Sequence, residues 1–210
     1  MNSIAPKAVV FDLGKVLLDF NYARAARAMA PLSRVDEDAF RLALDQSPLL
    51  MRFETGHLTP QEMFDEVVRT TGYRGEFAAF AAAFGDIFTE IPEMIDLHAS
   101  IQATGRPTYI FSNTNGLAVE YIHRRYPFFR TFSGYVYSHE VRCMKPQPDI
   151  YAAVEKMSGC RGAELLYIDD REENVLAGVG RTWQVIHHVS VPTTVATVRQ
   201  RLGLPHPTSP

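Results

Sequence analysis

Apolar residues along the chain follow two rhythms. Three short runs are almost continuously apolar, AVVFDL (8–13), TYIFSN (108–113) and LLYID (165–169), and each ends in a polar residue or close to one. Continuous rather than alternating apolarity marks a strand covered on both faces, as in a parallel sheet clothed by helices. GYVYSH (134–139) and WQVIHH (183–188) are weaker strands of the same kind. Between the runs the apolar period lengthens. Met94, Leu97 and Ile101 recur at helical spacing ahead of Gly105, and Ile150, Val154 and Met157 do so ahead of Gly159. A glycine just past such a run supplies the left-handed residue on which helices commonly end. Strands and helices that alternate from residue 93 onward predict an α/β fold, a Rossmann-like parallel sheet with helices on both faces.

Residues 19–92 are built differently. They are rich in alanine, phenylalanine and charged side chains and contain no convincing strand, so the block reads as helical throughout. Within it, TPQE (59–62) is a helix start: Thr59 can cap, Pro60 suits the first helical position, and Glu62 can close a capping box. Because this block separates the first strand from the rest of the alternation, it is expected to be an inserted small α-helical cap over one edge of the sheet. The core is then made of residues 1–18 and 93–210. The ending PHPTSP (205–210) reads as a loose tail.

At 210 residues, 46% hydrophobic and 21% charged, the chain can bury one sizeable core with an insertion. A net charge of −3, with lysine and arginine scattered, lacks the basic stripe of a nucleic-acid binder, so no nucleic-acid partner is expected. No apolar window reaches the length of about 18 residues that a membrane span needs. The opening MNSIAPKAVVFDLGK has no secretory pattern. Cys143 and Cys160 do not form a CxxC pair and read as reduced thiols. Together these features predict a cytoplasmic protein, with monomer and homodimer equally compatible.

The chemistry concentrates where strands end. In open α/β sheets, ligands bind beyond the carboxyl ends of the strands, so residues there meet although distant in sequence. Asp12 follows the first run, Ser112 and Asn113 close the second, Asp169 and Asp170 follow the third, and Lys145 lies in the loop MKPQPD before a helix. Converging carboxylates repel unless a cation sits among them, and an all-oxygen set suits a hard ion such as Mg²⁺. A lysine, a hydroxyl and an amide beside that ion form a cradle for a phosphate dianion. Asp12 could then bind Mg²⁺ through one oxygen and attack phosphorus through the other, giving an aspartyl-phosphate that water cleaves.

The segments FDLGKVLLD, FSNTN, MKPQPDIY and IDDREEN together resemble the four motifs of the haloacid dehalogenase-like superfamily, in the subfamily with a helical cap between the first and second motifs. The likeness spans nearly the whole chain and is closest to bacterial phosphatases of the glucose-1-phosphate type. It implies Asp12 as nucleophile and Ser112, Asn113 and Lys145 as phosphate contacts. It also implies Mg²⁺ held by Asp12, the carbonyl of Gly14, Asp169 and Asp170, with Asn174 supporting the Lys145 region. The implied substrate is a small phosphorylated metabolite.

One position departs from the pattern. Most phosphatases of the superfamily carry a second aspartate two residues after the nucleophile, which protonates the leaving group and then helps water attack. Here that position is Gly14. General acid help is worth about 10²–10⁴ in rate, so its loss predicts a preference for good leaving groups such as sugar 1-phosphates, acyl phosphates and aryl phosphates. Glu54, His57, Asp19 and His139 are the candidate substitutes. Carbon–halogen hydrolysis on the same fold, and a phosphate-binding module whose catalysis lapsed with Gly14, are the competing functions; the acidic pair at 169–170 argues against the first. Lys15 reads as a loop cation, YPFF (126–129) as core, and His187 and His188, as strand neighbours, face opposite ways.

Overall fold

The computed structural model describes residues 4–45 and 47–205. In chain order its strands are β1 (Ala8–Phe11), β2 (Leu18–Phe20), β3 (Phe88–Glu90), β4 (Thr108–Ser112), β5 (Gly134–Tyr137), β6 (Leu165–Asp169) and β7 (Gln184–His187). The helices of the intervening block are α1 (Tyr22–Met29), α2 (Glu37–Leu44), α3 (Pro48–Glu54), α4 (Pro60–Thr71) and α5 (Phe77–Gly85). The remaining helices are α6 (Pro92–Gln102), α7 (Gly116–Arg125), α8 (Ser138–Val141), α9 (Pro148–Ser158), α10 (Glu172–Gly180) and α11 (Val191–Leu202).

Five strands form one parallel sheet in the order β5-β4-β1-β6-β7. All residues of β1, β4 and β6 are buried, and the strand period of two divides them between two layers. Val9, Phe11, Ile110 and Ile168 pack with Met94, Leu97 and Ile101 of α6 and with Val198 of α11. Val10, Phe111, Leu165 and Tyr167 pack on the other side with Ile150, Tyr151 and Val154 of α9. This two-sided covering is why the strands read as unbroken apolar runs. Tyr126 and Phe129 of the YPFF group belong to the first layer, and the adjacent histidines diverge: His187 is exposed, whereas His188 is buried with Nδ1 2.8 Å from Thr194 Oγ1.

Helices α1–α5 gather around a third apolar cluster that includes Tyr22, Phe40, Phe53, Met63, Phe80 and Phe84. The TPQE signal at the start of α4 is realised in full. The Thr59 side chain accepts from the Glu62 N–H at 3.2 Å, and Glu62 accepts from the Thr59 N–H at 2.7 Å. A cap of this kind contributes roughly 0.5–2 kcal/mol. The same helix ends at Gly72, whose φ of +66° only glycine adopts freely.

One expectation for this block is corrected. It is not helical throughout, because β2 and β3 pair antiparallel, Leu18 opposite Glu90 and Phe20 opposite Phe88, where the chain leaves and rejoins the sheet. Three-residue strands are too short to show a period. The insertion leaves the carboxyl end of β1, the central strand, and packs through α5 and α3 against α7 and α8, the helices that follow β4 and β5.

Cys143 and Cys160 are buried free thiols. Among the described residues no helix is long and apolar enough to cross a membrane. Of the expected tail only Pro205 is described; residues 206–210 lie outside the described residues.

Candidate active site

From β1 the chain runs to β4 and β5 on one side, then returns to β6 and β7 on the other. The carboxyl end of β1 is thus the topological switch point where such sheets bind ligands. A cavity of about 590 Å³ opens there. Asp12, Gly14, Ser112, Asn113, Lys145, Asp170 and Asn174 all line it, together with Phe20, Leu50 and Glu54 from the inserted segment and its entry.

Lys145 is the hub of the floor. Its ammonium lies 2.9 Å from Asp12 Oδ1 and 2.6 Å from Asp169 Oδ2, and donates to the Phe111 carbonyl at 2.9 Å. Although burial works to neutralise the amine, the charges of Asp12 and Asp169 hold its pKa above the ordinary lysine value. Asp12 Oδ1 also accepts from the Leu13 N–H at 2.7 Å, so its carboxylate has one orientation and its Oδ2 carries neither of these bonds.

The acidic pair divides its work. Asp169 is fully buried and saturated: Oδ2 accepts from Lys145 and the Tyr167 hydroxyl, and Oδ1 from the Arg171 N–H at 2.8 Å and Asn174 Nδ2 at 3.0 Å. Burial would raise its pKa, but Lys145 and these hydrogen bonds outweigh it and hold the group below the usual carboxylate range. Asp170, half-buried on the cavity wall, is pushed up by burial and by the charge of Asp169. Asp12 is pushed up furthest, by burial, with Asp169 and Asp170 adding to it and Lys145 opposing.

Oxygens of Asp12, Asp169 and Asp170 lie within 4.8 Å of one another. Three carboxylates share one cation, Lys145, and two of them are left resisting ionisation. The donor set, all oxygen and two positive charges short, fits a divalent hard ion.

The second motif has a separate task at each residue. Ser112 ends β4, buried and facing the cavity. The side-chain amide of Asn113 is committed to the Lys145 loop, donating to the Lys145 carbonyl at 3.1 Å and accepting from the Lys145 N–H at 2.8 Å. This leaves the main chain of Asn113, rather than its amide, to meet a ligand. Thr114 N–H donates to Ser138 Oγ at 2.8 Å, and Asn115 caps α7 by accepting from Ala118 N–H at 3.0 Å. Asn174 supports Lys145 indirectly, by holding Asp169.

Sequence reasoning missed Tyr167, Ser138 and Arg171. Tyr167 was detectable in principle, since it lies two residues before Asp169 on β6 and therefore faces the same side. Ser138 and Arg171 carry no local signal, because their partners lie 24 and more positions away or are reached through the main chain.

The structure also shows what occupies the place of the missing second aspartate. A Cβ on Gly14 would lie 2.9 Å from the Phe20 ring, so any side chain there needs that ring to move. Overpacking of this kind typically costs about 1–3 kcal/mol. Gly14→Asp is therefore expected to lower the unfolding free energy by about that amount without raising turnover, measurable by denaturant titration beside a rate assay.

Of the four candidate substitutes, one faces the cavity. Asp19 is exposed and paired with Lys15, which is the loop cation expected. His57 is exposed and bonded to Thr55 Oγ1 at 2.7 Å. His139 Nδ1 lies 3.0 Å from the Thr114 carbonyl, with its ring stacked on Tyr137. Glu54 lines the cavity.

A family profile described as haloacid dehalogenase-like hydrolase matches residues 6–180. A D-ribitol-5-phosphate phosphatase of Bacteroides thetaiotaomicron is 24% identical over 179 residues, covering 82% of this chain and 86% of its own. A sesquiterpene phosphatase of Aspergillus oryzae is 23% identical over 199 residues, covering 94% and 97%. Among solved structures, a haloacid dehalogenase family enzyme of B. thetaiotaomicron in complex with magnesium and inorganic phosphate superposes with a TM-score of 0.75 at 22% identity, over 87% of this chain and 93% of that one. L-2-haloacid dehalogenase of Xanthobacter autotrophicus superposes at 0.65 with 20% identity, over 96% and 85%.

Proposed function

This chain belongs to the haloacid dehalogenase-like hydrolases, and from that premise we propose that it is a Mg²⁺-dependent phosphomonoesterase of a small phosphorylated metabolite, working through an aspartyl-phosphate on Asp12. One observation carries the reading: a buried lysine bridges Asp12 and Asp169, while Asp170 brings a further carboxylate to the cavity wall beside Ser112. Such a floor has places for both a divalent cation and a phosphate dianion. Carbon–halogen hydrolysis needs neither, and the likeness to a dehalogenase extends only to the fold. The two curated relatives are named as phosphatases.

Asp12, Asp170 and the Gly14 carbonyl would hold the ion, and Asp169, its lone pairs already taken, would reach it through water. The ion supplies charge neutralisation for the phosphoryl oxygens and for the carboxylates around it. Lys145 anchors the phosphate by charge, and Ser112 and the main chain at Asn113 orient it by hydrogen bonds. Lys145 and the Leu13 N–H fix Asp12 Oδ1, and the freer oxygen is the one able to attack phosphorus in line with the leaving oxygen. Water then cleaves the aspartyl-phosphate and restores Asp12.

With no aspartate at position 14, a sugar 1-phosphate is the metabolite class most easily served, unless the cavity supplies a proton donor elsewhere. The test is a panel of sugar 1-phosphates, sugar 6-phosphates, alditol phosphates and isoprenoid phosphates, assayed for phosphate release with Mg²⁺ and with chelator. Release with Mg²⁺ that chelation abolishes is expected. Halide release from 2-haloacids under chelation, with no phosphate release from any ester, would overturn the reading.

A further inference from the structure

We propose that Glu54, on the inserted helical segment, is the proton donor and acceptor that position 14 lacks; this rests on the phosphatase reading and deepens it. Glu54 is the last residue of α3 and lines the same cavity as the acidic floor. Two features pin it to the α/β core. Its carbonyl accepts from Ser138 Oγ at 2.5 Å, and Ser138 also holds the Thr114 N–H of the second motif at 2.8 Å. Two residues on, Gly56 passes so close to α8 that a Cβ would lie 2.2 Å from the His139 carbonyl oxygen, at a φ of +67°. The insertion is therefore fastened to the core at the point where it presents this carboxyl.

The other charged groups facing the cavity are already engaged. Asp45 is paired with Arg41 at 3.7 Å, Glu173 with Arg171 at 2.5 Å, and Lys15 with Asp19; Asp12, Lys145 and Asp170 belong to the floor. Among the described residues, the Glu54 carboxyl has no hydrogen-bond or ion-pair partner. Burial, opposed only by the charge of Arg171, pushes its pKa up to about 8. At neutral pH the carboxyl is mostly protonated, as a general acid must be.

In the first step a bond forms between Asp12 Oδ2 and phosphorus as the bond from phosphorus to the ester oxygen breaks. Its electron pair goes to that oxygen, which takes the Glu54 proton, so the alcohol leaves and Glu54 is a carboxylate. In the second step Glu54 takes a proton from water as the water oxygen bonds to phosphorus. The bond from phosphorus to Asp12 breaks, inorganic phosphate departs, and Glu54 is protonated again. This donor would extend the substrate range from sugar 1-phosphates to ordinary alcohol esters.

The experiment compares wild type, Glu54→Gln and Glu54→Asp with Mg²⁺, on glycerol 3-phosphate as the poor leaving group and 4-nitrophenyl phosphate as the good one. Glu54→Gln is expected to lower kcat/KM by about 10²–10⁴-fold for glycerol 3-phosphate and by less than about tenfold for 4-nitrophenyl phosphate, whose phenolate leaves unaided. Its kcat should fall on both, with aspartyl-phosphate accumulating in acid-quenched samples. Wild-type kcat/KM on the alcohol ester should decline as pH rises through Glu54's titration, and this limb should vanish in Glu54→Gln; Glu54→Asp should recover part of both. An equal loss of kcat/KM on both substrates, or no loss of it on either, overturns the proposal while leaving the phosphatase reading in place. No phosphate release by wild type from either compound overturns that reading and the proposal with it. A readout free of turnover is carbon NMR of labelled glutamate in Asp12→Asn with Mg²⁺ and inorganic phosphate. A Glu54 signal titrating near the ordinary value of about 4.3 overturns the proposal even if Glu54→Gln fails to fold.

Discussion

Replacing Lys145 with methionine is expected to cost the protein about 3–5 kcal/mol of stability and essentially all turnover, because it strips the counter-charge from two buried carboxylates at once. The Lys145 side chain is 1% exposed, Asp169 fully buried and Asp12 nearly so, so water cannot take its place. The pH dependence fixes the sign. In the wild type, Asp169 has a depressed pKa, so its contribution is present above the unfolded value and lost as pH falls through the folded one. Without Lys145 that relation inverts, since burial then dominates and raises the pKa. The variant should be most destabilised relative to wild type at neutral and alkaline pH and recover toward wild type as pH drops into the carboxylate range. Denaturant titrations at pH 5 and pH 8 measure this. A methionine variant as stable as wild type at pH 8 would mean that the bridge contributes nothing.

Asp12→Asn is expected to separate chemistry from stability. An amide cannot attack phosphorus, and loss of a nucleophile that works in concert with its surroundings typically removes about 10⁴–10⁶ of the rate. Burial and the charges of Asp169 and Asp170 raise the pKa of Asp12 in the folded state. A raised carboxyl pKa means that ionisation opposes folding, so stability declines as pH climbs from the unfolded pKa toward the folded one. Asparagine removes that opposition and leaves Lys145 paired with Asp169. Melting in chelator at neutral pH should show the variant at least as stable as wild type, with phosphate release abolished. Residual turnover within tenfold of wild type would move the nucleophile elsewhere.

The α/β core was legible because its signals are local and strong. LLYID coincides with β6, and TYIFSN and AVVFDL each overrun their strand by one or two residues. The overrun is informative, since Asn113, Asp12 and Leu13 are the residues that leave the ladder to form the floor. Within the insertion the helix starts could be read, as Thr59 and Glu62 show, but the β2–β3 ribbon could not. It joins residues about seventy positions apart in runs of three. Phe20 shows the same limit, for nothing near it in sequence announces that its ring fills the space beside Gly14.

The sequence by itself determined which residues end the buried strands and which chemical types they bring: an aspartate after β1, a hydroxyl at the end of β4, an acidic pair at the end of β6 and a lysine in a turn. A strand buried on both faces must be apolar throughout, so the polar residues that close it stand out. Only the tertiary structure decided how those types divide their labour. It saturated Asp169 and left Asp170 open to the cavity, and it spent the Asn113 amide on a loop. It also placed Glu54, and not His57, Asp19 or His139, in the lining of the cavity. Each of those outcomes depends on which groups are brought within about 3 Å of one another, and burial, not residue type, then sets which of them stay charged.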